Sequence, residues 1–292
     1  PAINGIVLNC YDITERKTLE HQHTLHIHFL ENLDKINQTI QQARDIDQML
    51  WDVIRETFSI FECDRAWLLF PCDPNASSYQ IPVEVTKKEF PGAYKKNLEL
   101  PMTAADKRNC QIMLETNEPV TFGKNGEYAI RTKAAKDYAV KSQIMISIYP
   151  KTGRPWLLGL HQCTHPRIWT GEEKHLFKEI GRRVSDALST MLALQKLKDN
   201  EEFLSNIIEN IPNMLFVKDA ENLRFLKFNK AGEELIGIPR QDMIGKNDHD
   251  FFPKAEADFF TKNDKKVLKN KQLVDIPEES LQTMHHGQRL LH

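Results

Sequence analysis

The sequence predicts an α+β chain, with helices around a mostly antiparallel sheet and long helices entering and leaving it. The first observation is an apolar run, Trp156 to His161, placed after a turn-forming Pro150–Pro155 segment and the run Gln143 to Tyr149. The second is a helical stripe beyond that run. Phe177, Ile180, Val184, Ala187, Met191 and Leu194 recur at alternating three and four steps, on one face of a helix. The third is a similar stripe ahead of the sheet, Phe29, Leu33, Ile36, Ile40 and Ala43.

Size and composition bound the answer. The chain has 292 residues, enough for two domains or for one and parts of others. A formal charge of −2 gives no basic field for nucleic acid. No run of eighteen apolar residues offers a membrane span. Five scattered cysteines without a CxxC pair argue against a zinc site or a disulfide framework, and with no leader they point to the reducing cytoplasm. The chain starts at Pro1 and stops at His292 in mid-pattern, so it reads as a piece of a longer protein.

Taken in order, Gly5 to Tyr11 reads as a strand, and Asp12 with Glu15 opens a helix. That helix runs from about Ile13 to Ala43, roughly 45 Å at 1.5 Å per residue. Its stripe is read as packing on a partner copy, making a homodimer; the alternative is a helix that covers the sheet of its own domain. His21, His23, His26 and His28 lie along it; only His23 and His26 share a face, so they read as solvated side chains with no metal. Asp45 to Phe61 continues helical, with Ile46, Leu50, Val53, Ile54 and Phe58 inward. Cys63 to Phe70 is a strand, Tyr79 to Thr86 a second, Lys107 to Glu115 a helix, Pro119 to Phe122 a short strand and Ala134 to Val140 a helical piece. Gln143 to Tyr149 then pairs with Trp156 to Gln162. Thr170 and Glu173 have capping-box spacing at the start of the next helix. The charged stretch Lys196 to Glu202 marks a boundary inside a connector, and Phe203, Leu204, Ile207, Ile208 and Ile211 resume the stripe until Pro212 ends it. Met214 to Asp219 and Leu223 to Asn229 are strands, Ala231 to Gly237 a short helix, Ala255 to Asn270 a helix, and Leu281 to His292 one further strand.

Leu158-Gly159-Leu160-His161-Gln162-Cys163, then Pro166-Arg167-Ile168-Trp169 and the Glu172-Glu173 helix, resemble the last strand and helix of a GAF domain of the phytochrome-like branch. That resemblance covers residues 30–195. Asp12-Ile13-Thr14-Glu15-Arg16-Lys17 resembles the exit of a PAS domain. Ile211-Pro212, the Val217-Lys218-Asp219 stretch, Phe228-Asn229, and the Ile244-Gly245-Lys246 to Pro253 segment resemble the first half of another. The resemblance implies this organisation: a PAS tail over 1–17, a signalling helix over 18–43, a GAF domain, a connector helix over 196–211, and the head of a PAS domain over 200–292.

No catalytic constellation stands out. His175 lacks the acidic neighbour and following proline of a phosphoacceptor histidine, no glycine-rich phosphate loop occurs, and Asp248-His249-Asp250 reads as a PAS loop. A GAF pocket is a concave apolar cavity on one sheet face; candidate wall residues are Trp67, Leu69, Tyr79, Ile146, Ile148, Leu160 and His161. The resemblance places a bilin-attaching Cys-His pair where this chain has Ile130-Arg131, so covalent bilin is not expected. The flavin-reactive Asn-Cys-Arg-Phe stretch is also missing. The resemblance implies the sensory region of a two-component histidine kinase, relaying through dimeric helices. The alternatives are the input region of a diguanylate cyclase, a cyclic-nucleotide or tetrapyrrole binding module, and a dimer spacer with an empty cavity.

Overall fold

The computed structural model describes residues 11–94, 98–285 and 287–292. The chain divides into two compact units, at residues 195 and 196. The predicted strand Gly5 to Tyr11 lies outside the described residues but for Tyr11.

In the first unit, α1 (Thr14–Gln42) and α2 (Ile46–Phe61) precede the sheet. The strands are β1 (Arg65–Phe70), β2 (Ser78–Thr86), β3 (Glu99–Pro101), β4 (Val120–Gly123), β5 (Ser142–Ile148) and β6 (Trp156–Gln162). They form one antiparallel sheet in the order β3-β2-β1-β6-β5-β4. Between strands lie α3 (Ala104–Leu114), started by a Thr103–Asp106 capping box, and α4 (Lys133–Asp137), capped by Thr132. Edge strand β3 is too short to carry a hydrophobic period and escapes sequence reading.

The central strands are buried on both faces. Their even positions, among them Ala66, Leu68, Ile144, Ile146, Ile148, Leu158 and Leu160, form a core with α1, α2 and α5 (Gly171–Asn210). Their odd positions, Trp67, Leu69, Met145 and Leu157, form a second core on the other face. Gly181 lets α5 settle on β5: a methyl there would come 3.1 Å from Ile146 Cγ2.

Both long helices pack their stripes here, α1 from Phe29 to Ala43 and α5 from Phe177 to Met191, while Leu194 is exposed. Leu33 and Ile36 of α1 are 5% and 0% exposed, with Phe29, Ile40 and Ala43 against the same core. The stripe assigned to a partner copy therefore packs inside its own unit. A three-four repeat suits α2 and α5 of the same chain as well as another copy. Arg183 Nε donates to Asn37 Oδ1 at 2.9 Å and ties α5 to α1. The exposed apolar positions of α1 are others, Leu19, Leu25, Ile27 and Leu30. The four histidines of α1 are exposed.

Two polar knots close the unit, one half-buried around Arg167 and one buried around Asp64. Arg167 donates to Phe61 O at the end of α2, to Gln162 Oε1 on β6 and to Glu173 at the start of α5, and its guanidinium lies over the Trp169 ring. Thr170 and Glu173 make the reciprocal capping bonds. Asp64, wholly buried, accepts from Lys87 Nζ, Gln162 Nε2, Cys163 N, Thr164 N and Thr164 Oγ1 at 2.7–2.9 Å, which fastens the start of β1 to the end of β6. Burial alone would raise its pKa, but Lys87, Thr164 and Cys163 outweigh it and hold the carboxyl at about 2. The described cysteines, Cys63, Cys72, Cys110 and Cys163, are free and buried, and burial pushes the Cys63 thiol up to about 12.

The second unit takes residues 196–210 of α5, then β7 (Phe216–Lys218), β8 (Phe225–Phe228), α6 (Lys230–Ile236), α7 (Arg240–Met243), a 3-10 turn (Asp248–Asp250), α8 (Lys254–Asn270), β9 (Glu279–Thr283) and β10 (Gly287–Leu291). β7 pairs with β8, and β9 with β10, both antiparallel. The segment expected as one strand from Leu281 is thus a hairpin that starts at Glu279; His285 and Gly287 at its turn break the run. Asn229, fully buried, caps α6 through Gly232 N, accepts from Leu215 N, and donates to Ile208, Ile211 and Asn213 carbonyls. It thereby holds the last turn of α5 to the strands and α6. Phe225, Phe228, Ile236, Ile238, Met243 and Leu281 form the core.

A carboxylate held low by its folded partners stabilises the fold above its unfolded pKa, and loses that contribution as pH falls toward its folded pKa. For Asp64 the window is about pH 4 down to about 2. Asp64→Asn is expected to cost roughly 2–3 kcal/mol at neutral pH and to flatten the stability profile in that window, measured by urea unfolding across pH.

Candidate functional site

Period two places the odd residues of β1, β5 and β6 on the face away from α1, α2 and α5. There, β1, β2, β5, β6, α3 and α4 enclose a cavity of about 80 Å³. Register sets Arg65, His161 and Gln143 side by side across β1, β6 and β5. Trp67 faces Gly159, where a Cβ would run into the indole, so this glycine makes room for the ring to lie across β6.

Arg65 is 1% exposed. One Nη donates to the Phe90 and Pro91 carbonyls at 2.9 Å, the other lies 3.0 Å from His161 Nδ1, and Nε stands 3.3 Å from Glu84 Oε1. Tyr138 covers the guanidinium at 5.4 Å. Trp67 Nε1 donates to His161 Nε2 at 2.9 Å. Burial, with the Arg65 charge beside it, pushes the His161 pKa well down, so the ring is neutral. Glu84 accepts from Tyr94 N at 2.7 Å, and burial raises its carboxyl above the usual range despite Tyr94 and Arg65. The remaining wall includes Tyr79, Asp106, Cys110 and Met145.

The second unit has its own cavity, about 170 Å³, lined by Phe216, Phe225, Phe228, Phe252 and Phe260. Lys218, nearly buried, sits in it. Its Nζ donates to both Asp248 oxygens at 2.8 and 2.7 Å and to Asp264 at 2.7 Å, and lies over the Phe225 and Phe216 rings at 4.8 and 5.2 Å. Burial pushes the Asp248 carboxyl up, and Lys218 opposes that. Glu279, also on the wall, is raised by burial and by Asp264. Among the described residues no group of three or more His, Cys, Asp or Glu side chains could hold a metal. None of their helices is long and apolar enough to cross a membrane.

Of the predicted wall residues, the structure puts Trp67, Leu69, Tyr79 and His161 on the first cavity. Ile146, Ile148 and Leu160 belong to the opposite core, against the helices. The reason is parity: Leu160 and His161 are consecutive on a strand and cannot share a face. Sequence reasoning missed Arg65, Glu84 and Gln143. The readable signal was Arg65 itself, a charge two residues before Trp67 and so on the same face of an apolar strand. Ile130, at the position compared with an attachment cysteine, packs at the edge of the cavity-side core, and Arg131 is exposed.

Residues 45–188 match the GAF domain family, and residues 208–291 match the PAS fold family. No curated protein matches the chain. Among solved structures, similar folds include a phycocyanobilin-bound GAF domain from a cyanobacterial phytochrome, at 13% identity and TM-score 0.46, covering 56% of this chain and 94% of that one. Another is the chromophore-binding domain of a Stigmatella aurantiaca phytochrome, at 14% identity and TM-score 0.44, covering 54% and 58%. A third is the GAF domain of a phosphoenolpyruvate-protein phosphotransferase from Coxiella burnetii, at 16% identity and TM-score 0.43, covering 60% and 98%.

Removing one partner of a buried ion cluster strands the others. Lys218→Met is expected to destabilise the second unit by about 3–5 kcal/mol, read by urea unfolding of the whole chain, with much of the loss recovered when Asp248→Asn and Asp264→Asn are added.

Proposed function

We propose that this chain, which carries a GAF domain over residues 45–188 followed by a PAS fold over 208–291, is the sensory region of a two-component histidine kinase that works as a homodimer in the cytoplasm. The GAF cavity receives a small molecule, and helices α1 and α5 carry the response. The supporting observation is α5. It is one helix of 40 residues that packs Phe177, Ile180, Val184 and Leu188 into the core beneath the GAF sheet, and its last turn is held by Asn229 in the PAS fold.

The same strands build both faces of the sheet. Leu158 and Leu160 belong to the helix-side core, while Leu157 and His161 line the cavity. A change of occupancy that moves β6 acts on α5 through neighbouring residues. Past the core, α5 exposes Leu194, Leu197, Phe203, Leu204 and Ile207. Leu197 and Leu204 are one heptad apart, the spacing of a coiled-coil seam. A domain organisation of PAS tail, signalling helix over 18–43, GAF domain and connector over 196–211 fits this relay. Under this reading the output lies in the parent protein.

Two measurements test it. Sedimentation equilibrium of the whole chain is expected to give a dimer at micromolar concentration, weakened at least tenfold by Leu197→Glu with Leu204→Glu, at little cost in thermal stability because both side chains are exposed. A monomer at that concentration refutes the seam. With the parent protein, labelled ATP is expected to phosphorylate a histidine; synthesis of a cyclic dinucleotide from GTP instead assigns the chain to a diguanylate cyclase.

A further inference from the structure

Along the Arg65–His161–Trp67 row of the GAF cavity, hydrogen-bond donors outnumber acceptors. His161 Nε2 faces Trp67 Nε1 at 2.9 Å, and His161 Nδ1 faces an Arg65 Nη at 3.0 Å. Indole and guanidinium nitrogens only donate, whereas a neutral imidazole has one N–H and one accepting lone pair. In one tautomer Trp67 is satisfied and two N–H groups oppose each other at Arg65. In the other, Arg65 is satisfied and the opposed pair is His161 with Trp67. Either way one pair of donors meets without an acceptor. Arg65 adds another: its Nε is buried with no hydrogen-bond partner, because Glu84 Oε1 at 3.3 Å is off the N–H direction. A neutral ring is the state that burial and the nearby guanidinium enforce.

Unmatched buried donors each cost about 1–3 kcal/mol, so an acceptor entering here relieves several at once. We propose that this cavity binds a small carboxylate of about four heavy atoms, whose oxygens accept from Arg65 and from the His161–Trp67 pair. The inference rests on reading the GAF cavity as the receiving site. Size supports it: a cavity of about 150 Å³ holds benzene, and this one has about 80 Å³. An ionised carboxylate offers two oxygens and about four accepting lone pairs, enough for every unmatched donor. Glu84 is the carboxylate that already faces Arg65, so it competes with the incoming anion.

The test titrates the whole chain with sodium formate and sodium acetate at constant ionic strength, with benzoate as the size control and acetamide as the charge control. Calorimetry and the indole N–H resonance of Trp67, assigned by its loss in Trp67→Phe, report binding. A ceiling of about 1.5 kcal/mol per heavy atom puts the best Kd for acetate at roughly tens of micromolar. Formate or acetate is expected to bind one site and shift that resonance. Trp67→Phe should weaken binding at least tenfold, and Glu84→Gln, which removes the competing charge, should strengthen it. Absence of heat and shift with either anion at roughly 20 mM, far above that ceiling Kd, overturns the proposal and leaves water as the occupant. Equal binding of benzoate or of acetamide overturns it too. Acetate that binds the cavity of the parent protein without altering its output leaves this inference standing and removes the sensory reading; an output that responds to another ligand, with no anion bound, does the reverse.

Discussion

The buried guanidinium of Arg65 is the constraint around which the cavity side of the GAF sheet is built. Withdrawing a charge of this kind from water costs several kcal/mol, and the surroundings must offset it through contacts of good geometry. Arg65 draws in two loop carbonyls at Phe90 and Pro91, the Glu84 carboxylate from the next strand, the Tyr138 ring from above and the His161 imidazole from β6. Each comes from a different segment. The charge thus fixes where the loop after β2, the piece around α4 and strand β6 stand relative to β1. An apolar residue of the same volume would cost less in folding, yet would leave those segments without a shared point.

That arrangement also separates two tasks by parity. Odd residues of β1, β5 and β6 carry polar groups such as Arg65, Gln143 and His161 to the cavity, and even residues form a dry core with α1, α2 and α5. A sheet buried on both faces transmits displacement well, because close packing on each side leaves no slack to absorb it. The polar knots at its ends serve the same stiffness. Asp64 and Arg167 fasten β6 to the start of β1, to the end of α2 and to the first turn of α5. Within the proposed relay, β6 has the least freedom to move without α5 following.

Much of this is legible in the residues, and the failures have physical causes. The pairing of Gln143–Tyr149 with Trp156–Gln162 and the capping box at Thr170 are readable because turn and cap chemistry is local. The Gly159 and Arg167 positions carry a family resemblance; the structure supplies the reasons, an indole lying across one and three segments tied by the other. The helix stripes are visible, but for α1 the sequence does not choose between a partner copy and its own unit, since a three-four period says that a face is covered and not what covers it. The cavity is half legible. Strand alternation is visible in sequence, but a strand that is apolar at every position gives no sign of its inner face. Ile146, Ile148 and Leu160 are misplaced for that reason, and the tie in β1 could be broken only by Arg65, a charge at the very start of the strand. The β9–β10 hairpin depends on pairing between segments too short to be told from a single strand.

The size of the cavity sets a limit on how the proposed relay can be poised. A ligand shifts a two-state equilibrium only by its differential affinity for the two states. Driving a protein from about 1:99 to 99:1 takes about 5.5 kcal/mol, while a four-atom ligand binds with at most about 6 kcal/mol in total. A ligand that fits this cavity would have to devote nearly all its affinity to discrimination to throw a deeply biased switch. The two states must therefore lie close in free energy before it arrives. The connector suits that requirement. Its residues past Leu194 lie outside the dry core, alternate exposed leucines with charge, and are held to the PAS fold chiefly through Asn229 and the Glu209–Arg240 ion pair. Few buried contacts are at stake when such a segment shifts, so its alternatives differ by little, and a small ligand suffices to choose between them.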